Sequence, residues 1–404
     1  MRNVFRIALG ITTSIGGFLD AGALASTAAA GARFRFELLW ALLIGTVCSI
    51  VLMEMAGRLA IVSGHALRDA MHERFGVALS IPVLTIGLVL DVLILGSEIG
   101  GASVALQLAS GVSFQWWAIP VGLLAWLMIW TRSFGFIEKA VSFAGLITLA
   151  FVVSAVRVHP SIAEIVSGVL PGRPAHNGMT YWYTAVAIIG AILSPYMFFF
   201  YSSGAIEDEL DEGALRLNRI VSTIGMAFGA MIAAGVLITA AMTLAPAGIQ
   251  VKTYREAAGM LHAAFGSAGL PLFAACLGVA SFGAAVEVSM GTGYAVAQVF
   301  GWNWSANLRP RDDARFSTTY SVVIVLGIAL VTAGLDPLKL TMFTMAASCL
   351  TLPAITFPFL ALMNDEHYLN GHTNGRLANI TVIVVVAIAF VLAVVSIPLQ
   401  ILGG

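Results

Sequence analysis

"GGFLDAGALAS", residues 16–26, puts the carboxyl of Asp20 inside an otherwise apolar segment, between Gly16–Gly17 and Gly22. A lone charge at the centre of a bilayer costs roughly 3 kcal/mol on insertion scales, and glycines weaken a continuous helix. The segment is therefore expected to break near Asp20, so that the acid faces a polar cavity rather than lipid. "GAILSPY", residues 190–196, repeats the pattern, with Pro195 and its polar neighbours interrupting a second apolar stretch.

The surrounding composition says why lipid is the relevant solvent. Of 404 residues, 59% are hydrophobic and only 10% charged, and the mean hydropathy is +0.94. A soluble domain carries far more charge, so the chain reads as an all-α integral membrane protein. A net charge of −1 without basic runs leaves no footprint for nucleic acid. Cys48, Cys276 and Cys349 lie far apart in apolar stretches and read as buried hydrophobes, not as a disulfide or metal framework. Arg2 and Arg6 ahead of an apolar stretch ending in "STAAAGA" give the outline of a signal peptide, but Asp20 would interrupt its apolar core.

Eleven stretches are long enough to span: 5–31, 36–62, 77–108, 115–131, 137–157, 180–205, 217–245, 268–300, 315–333, 338–363 and 377–400. With the N-terminus cytoplasmic, thirteen of the 20 Lys and Arg residues fall inside, and the odd number of spans places the C-terminus outside. Residues 65–76 and 253–266 are amphipathic and are expected to lie along the interfaces. The interrupted spans are the first and the sixth. An offset of five spans inverts direction, so residues of about 5–157 and 180–363 form an inverted repeat of 5+5 helices, with 377–400 appended, in one transporter domain over 1–404. Matched breaks in inverted halves point to a substrate site at the bilayer midplane.

All seven histidines fall in loops or interfacial segments, which leaves acids to carry the chemistry. Asp20 can act as a cation ligand, as the cap of the half-helix that follows it, or as both. Glu98 follows Asp91 by seven residues, two turns on one helix face and about 10 Å apart, a ladder suited to passing protons. Glu287 sits among small residues that favour close helix approach, where a structural hydrogen-bonding role is expected. Glu54 has Arg58 four residues on and is expected to pair with it.

"GGFLDAGALAS", with "LAIVSG" (59–64), "AIIGAILSPY" (187–196) and "RLNR" (216–219), resembles the Nramp family of proton-coupled divalent-metal transporters over nearly the whole chain. The resemblance implies a LeuT-type fold with broken helices 1 and 6. The family's Asp-Pro-Gly-Asn stands here as Asp20, Ala21, Gly22 and Ala23, which keeps the acid and loses the amide. Its Ala-x-x-Met-Pro-His becomes Ala191, Ile192, Leu193, Ser194, Pro195 and Tyr196, without thioether or imidazole. Its third-span Glu matches Glu98, whereas the Asp three residues earlier is Leu95. A ninth-span arginine pair falls near Thr319 and Tyr320, with Arg315 the nearby base, and a tenth-span Gln corresponds to about Met345.

The expected substrate site is therefore Asp20 as metal ligand and counter-charge, with Ala21, Gly22, Ala23, Ala191, Ser194 and Tyr196 adding carbonyls and hydroxyls. Glu98 and Asp91 form the expected proton path, and Glu287 is a further intramembrane acid. An oxygen-only set suits a hard, partly hydrated ion such as Mg2+ or Mn2+. The function expected is secondary active transport of a divalent cation, proton-coupled, in a prokaryotic inner or plasma membrane, with no cofactor. The alternative is a small organic cation or amino-acid-like solute that pairs with Asp20 and packs on Tyr196. An enzyme would need a convergent His, Ser or metal constellation, and the sequence shows none.

Overall fold

The computed structural model describes residues 19–172 and 177–403. The leading part of the first expected span, residues 5–18, lies outside the described residues, as do Arg2, Arg6, Arg173 and His176. Every regular element among the described residues is helical. The trailing part of the first span is α1, Ala21–Phe34. After it come α2 (Leu39–Ser63), the short α3 (Leu67–Phe75), α4 (Val77–Ser110), α5 (Phe114–Thr131), α6 (Phe134–Gly145), α7 (Leu149–Arg157) and the short α8 (Ile162–Ser167). The second half holds α9 (Gly178–Ile192), α10 (Pro195–Glu207), α11 (Leu215–Thr243), α12 (Tyr254–Ala258), α13 (His262–Phe265) and α14 (Gly269–Val299). It closes with α15 (Ala314–Thr332), α16 (Pro337–Met363), α17 (Glu366–Leu369) and α18 (Arg376–Gly403).

Ten helical stretches among the described residues are long and apolar enough to cross a membrane. They coincide with the second to eleventh expected spans, with ends moved by a few residues. The sixth is broken as expected: α9 stops at Ile192, α10 starts at Pro195, and Ser194 between them has φ −56° and ψ 121°. Proline suits the first position of a helix because it has no N–H to leave unpaired there.

Packing sorts the helices into two groups. α4 packs most extensively on α14 and also on α15 and α5, while α1 packs on α11 and α9, and α2 on α11 and α10. α16 touches both groups through α9 and α4 and is backed by α18. Small residues set how closely these helices approach. A Cβ on Gly31 of α1 would stand 2.2 Å from the Leu237 carbonyl oxygen of α11, so the two backbones meet there. The far end of α10 is fixed by one carboxylate. Glu207 accepts hydrogen bonds from the Tyr294 hydroxyl at 3.0 Å, the Ala306 N–H at 2.6 Å, the Ser305 hydroxyl at 2.7 Å and the Asn307 amide at 2.8 Å.

Two expectations need correction. The stretch 65–76 does not simply lie along an interface: α3 turns Leu67, Arg68, Ala70 and Met71 inward, and the Leu67 N–H donates to Ser202 of α10 at 3.1 Å. Residues 253–266 do not form one amphipathic helix. They split into α12 and α13, and Tyr254 is buried with its hydroxyl 3.2 Å from that of Thr341 on α16. In both cases a polar group of a segment that looks interfacial in sequence, a main-chain N–H in one and a hydroxyl in the other, finds a partner on a neighbouring helix.

Gly31→Ala should lower the melting temperature of detergent-solubilised protein by the equivalent of about 1–3 kcal/mol, the usual cost of overpacking. Gly135→Ala, where an added methyl meets nothing within 4 Å, serves as the matched control and should melt with the native protein.

Candidate functional site

Helix α1 begins where the chain leaves an extended residue, Asp20, at φ −104° and ψ −178°. The first turn of any helix presents N–H groups with no partner inside the helix. Here two acids take them. Asp20 Oδ1 accepts the Ala23 N–H at 2.6 Å, and Glu98 Oε2, from the middle of α4, accepts the Ala21 N–H at 3.1 Å. The positive end of the α1 dipole thus holds two carboxylates. The second oxygen of each, Asp20 Oδ2 and Glu98 Oε1, is buried without a hydrogen-bond partner. Both side chains are almost wholly enclosed, Asp20 at 1% exposure and Glu98 at 0%. Glu287 lies within Coulombic reach of Asp20 and of Glu98, so this region concentrates negative charge.

The break between α9 and α10 lies beside the start of α1. Ala191 lies four residues before Pro195, which has no N–H, so its carbonyl lacks the usual helical donor. The Ser194 hydroxyl donates to the Gly190 carbonyl at 3.1 Å and lies 3.7 Å from the sulfur of Met345. The Tyr196 hydroxyl is directed toward Asp20 without closing a hydrogen bond of good geometry, and it too is buried without a partner. From α14 comes a further unpartnered hydroxyl, that of Ser281, which a Cβ on Gly101 would approach to 2.5 Å while standing 3.1 Å from Ala21 Cβ.

The expected site residues Asp20, Ala21, Gly22 and Ala23 therefore stand at the start of α1 and Ala191, Ser194 and Tyr196 at the α9–α10 break, and Glu98 joins them through its bond to Ala21. Asp91 does not. It accepts from Thr292 at 3.3 Å and faces Arg68, whose guanidinium is buried from α3 and lies 3.8 Å from the ring centroid of Phe199. Glu98 and Asp91 share a helix face but belong to different polar clusters. Glu287 lines a cavity of about 290 Å³ together with Glu138, Asn218, Tyr201 and Met197. Glu54 and Arg58 pair at 3.1 Å, as their spacing implies. Among the described residues no three His, Cys, Asp or Glu side chains gather as a ready-made metal centre. Ser281 gives no signal of its own in sequence, being a Ser in an apolar helix, and Met345 stands out only as the position of the family's tenth-span Gln.

Comparisons with known proteins identify the family. A family model described as natural resistance-associated macrophage protein-like, Nramp, matches residues 10–398. The chain belongs to the Nramp family. The divalent metal cation transporter MntH of Deinococcus radiodurans is 26% identical over 361 residues, covering 85% of this chain and 78% of the relative. A crystal structure of the Eremococcus coleocola manganese transporter, in complex with an aromatic bis-isothiourea substituted compound, superposes with a TM-score of 0.80 at 20% identity. It covers 98% of this chain and 87% of that one. A nucleobase-cation-symport-1 family transporter in a closed conformation gives 0.64 at 15% identity, with 96% and 91% covered. The fold is thus the LeuT-type fold shared by these transporters, and this Nramp protein is an integral membrane transporter and not an enzyme.

The two roles of Asp20 separate by substitution. Asp20→Asn keeps an oxygen for the Ala23 N–H and should melt close to the native protein in the absence of ions, yet lose stabilisation by added divalent cations. Asp20→Ala should lose both, with the missing cap costing about 1 kcal/mol in addition. Thermal unfolding with and without Mn2+ measures both terms.

Proposed function

We propose that this Nramp protein is a secondary active transporter of a divalent metal cation, which binds between the two broken helices with Asp20 as its principal counter-charge. The observation that carries this reading is the orphaned Asp20 oxygen, buried at the meeting point of two helix ends and beside a second acid. An unpaired buried carboxylate oxygen is costly, and a bound cation removes that cost. The relatives named as divalent metal cation and manganese transporters support the same class of substrate. Closure of Asp20, Ser194 and Tyr196 to 1% exposure or less suits a single ion better than a solute with an organic body.

In this reading the chain is built of inverted repeats, about residues 5–157 and 180–363, with 377–400 appended. It sits in a prokaryotic plasma membrane with its N-terminus cytoplasmic and its C-terminus outside. Mn2+ and Mg2+ are the candidate ions. Proton coupling follows from the Asp20–Glu98 proximity: a cation arriving at Asp20 favours ionised Glu98, so the Glu98 proton leaves as the cation binds. Asp91, which faces Arg68, would take up that proton further along α4.

Uptake into proteoliposomes tests the proposal. The native protein should accumulate Mn2+ or Mg2+ faster when the outside is made acidic, Asp20→Ala should be inactive, and Glu98→Gln should transport without response to the pH gradient. Equal uptake by native and Asp20→Ala protein, or competition by small primary amines but not by metals, would refute it.

A further inference from the structure

We propose that the furrow between α5 and α6 is a binding site for one anionic phospholipid, with an acyl chain lying along α14 and the phosphate held at Arg157.

α5 and α6 follow one another in the chain, yet each packs on α14 and barely on the other. The space they leave is a furrow of about 690 Å³ whose floor is made by α4 and α14. It exists because that floor carries small side chains, Ala102 and Ala105 on α4 and Ala274 and Gly278 on α14. At its inner end a Cβ on Gly283 would stand 2.6 Å from Val141 Cγ1, so α6 closes onto α14 there. Its rims are open, with Leu124 56% and Leu270 40% exposed. Leu123 and Leu127 extend the same exposed apolar surface along α5, so the furrow is continuous with the surface that this membrane protein turns to lipid.

The walls select the occupant. Among the described residues every side chain lining the furrow is apolar, and water is not held in a space without polar partners. Left empty, the furrow would forfeit dispersion contacts along its whole length; an acyl chain supplies them. It follows α14 from Leu270 to Gly283, about 20 Å at the helical rise. One leaflet of hydrocarbon is about 15 Å deep, so the furrow takes a chain from the leaflet that meets the start of α14.

The entrance carries the charge. Arg157, the exposed last residue of α7, has its guanidinium 5.0 Å from the ring centroid of Phe265 and donates from Nη1 to the Ala264 carbonyl at 2.9 Å. Those contacts fix it on α13, just ahead of Leu270, where the furrow begins. A guanidinium beside the start of a membrane-spanning helix meets a lipid phosphate with paired N–H donors. A zwitterionic lipid offers the same phosphate but brings its own ammonium beside the guanidinium, so the site selects lipids of net negative charge.

Native mass spectrometry of the purified full-length protein, titrated with phosphatidylglycerol or phosphatidylcholine of identical acyl chains, tests the proposal. The native protein should retain one phosphatidylglycerol about fivefold more tightly than phosphatidylcholine, the share of one basic residue at a lipid surface. Arg157→Gln should remove that preference, whereas Arg255→Gln, on the neighbouring α12, should keep it. Ala275→Phe and Ala144→Phe, which fill the furrow from α14 and from α6, should each abolish retention of either lipid. Melting of the lipid-free variants in detergent shows whether one of the two folds poorly, in which case the other carries the test. Equal retention of the two lipids by the native protein, or the same loss of preference in Arg255→Gln, would overturn the headgroup site at Arg157. Undiminished retention in a folded furrow-filling variant would overturn the furrow as the seat of the chain.

Discussion

Two carboxylates share the first turn of one helix, and the structure around them follows from that. Asp20 and Glu98 lie 78 positions apart in the chain, yet each accepts an N–H from α1. Neither acid could be buried alone in an apolar bundle, because an unpaired charge there is expensive. The helix end supplies both with a donor and a favourable dipole. It supplies only one donor to each, however, and the remaining oxygens are what distinguish this helix start from an ordinary capped one. The start of α1 is thus more than an ordinary helix end. It converts main-chain N–H groups into the partial neutralisation that lets two acids coexist at this depth.

The donors come from both packing groups. Asp20 belongs to α1, which packs on α11 and α9, and Ser194 and Tyr196 to the α9–α10 break, which packs on α2; α10 also packs on α14, and Glu98 and Ser281 belong to α4 and α14. α16 touches both groups. The Ala21–Glu98 hydrogen bond crosses between them. Close approach depends on glycine at the crossings: Gly31 lets α1 meet α11. On the opposite side, the four hydrogen bonds to Glu207 tie the end of α10 to the segment leading into α15.

Much of this was legible in the sequence because the strongest signals are local. Pro195 marks the break of the sixth span by lacking an N–H, and Asp20 marks the start of α1. Span length follows from hydrocarbon thickness, and the second to eleventh spans needed only small shifts in their ends. What could not be read was which side chains face one another. Helices buried on nearly all sides carry little amphipathic signal, so α4 gives no sign that Glu98 points to α1 while Asp91 points to Thr292 and Arg68. The polar content of residues 65–76 suggested an interface, yet Arg68 is only 3% exposed. Its guanidinium rests on the Phe199 ring, and a cation over an aromatic face tolerates burial that an isolated charge would not.

Met345 shows the same limit most clearly. Read along the chain, it marks a position where an amide was expected, and Ser194 marks one where a sulfur was expected; each looks like a loss. In three dimensions the two side chains are neighbours at 3.7 Å, so the hydroxyl and the thioether meet at one point from opposite helices. Gly22 is part of that exchange, because the space its missing side chain leaves is filled by the Met345 sulfur and methyl. Judging such a site position by position misses which side chains meet, since room left by one helix is filled from a neighbouring one. The chemistry of the site is a property of the space beside the start of α1, and that space is defined by contacts between residues from 77 to more than a hundred positions apart.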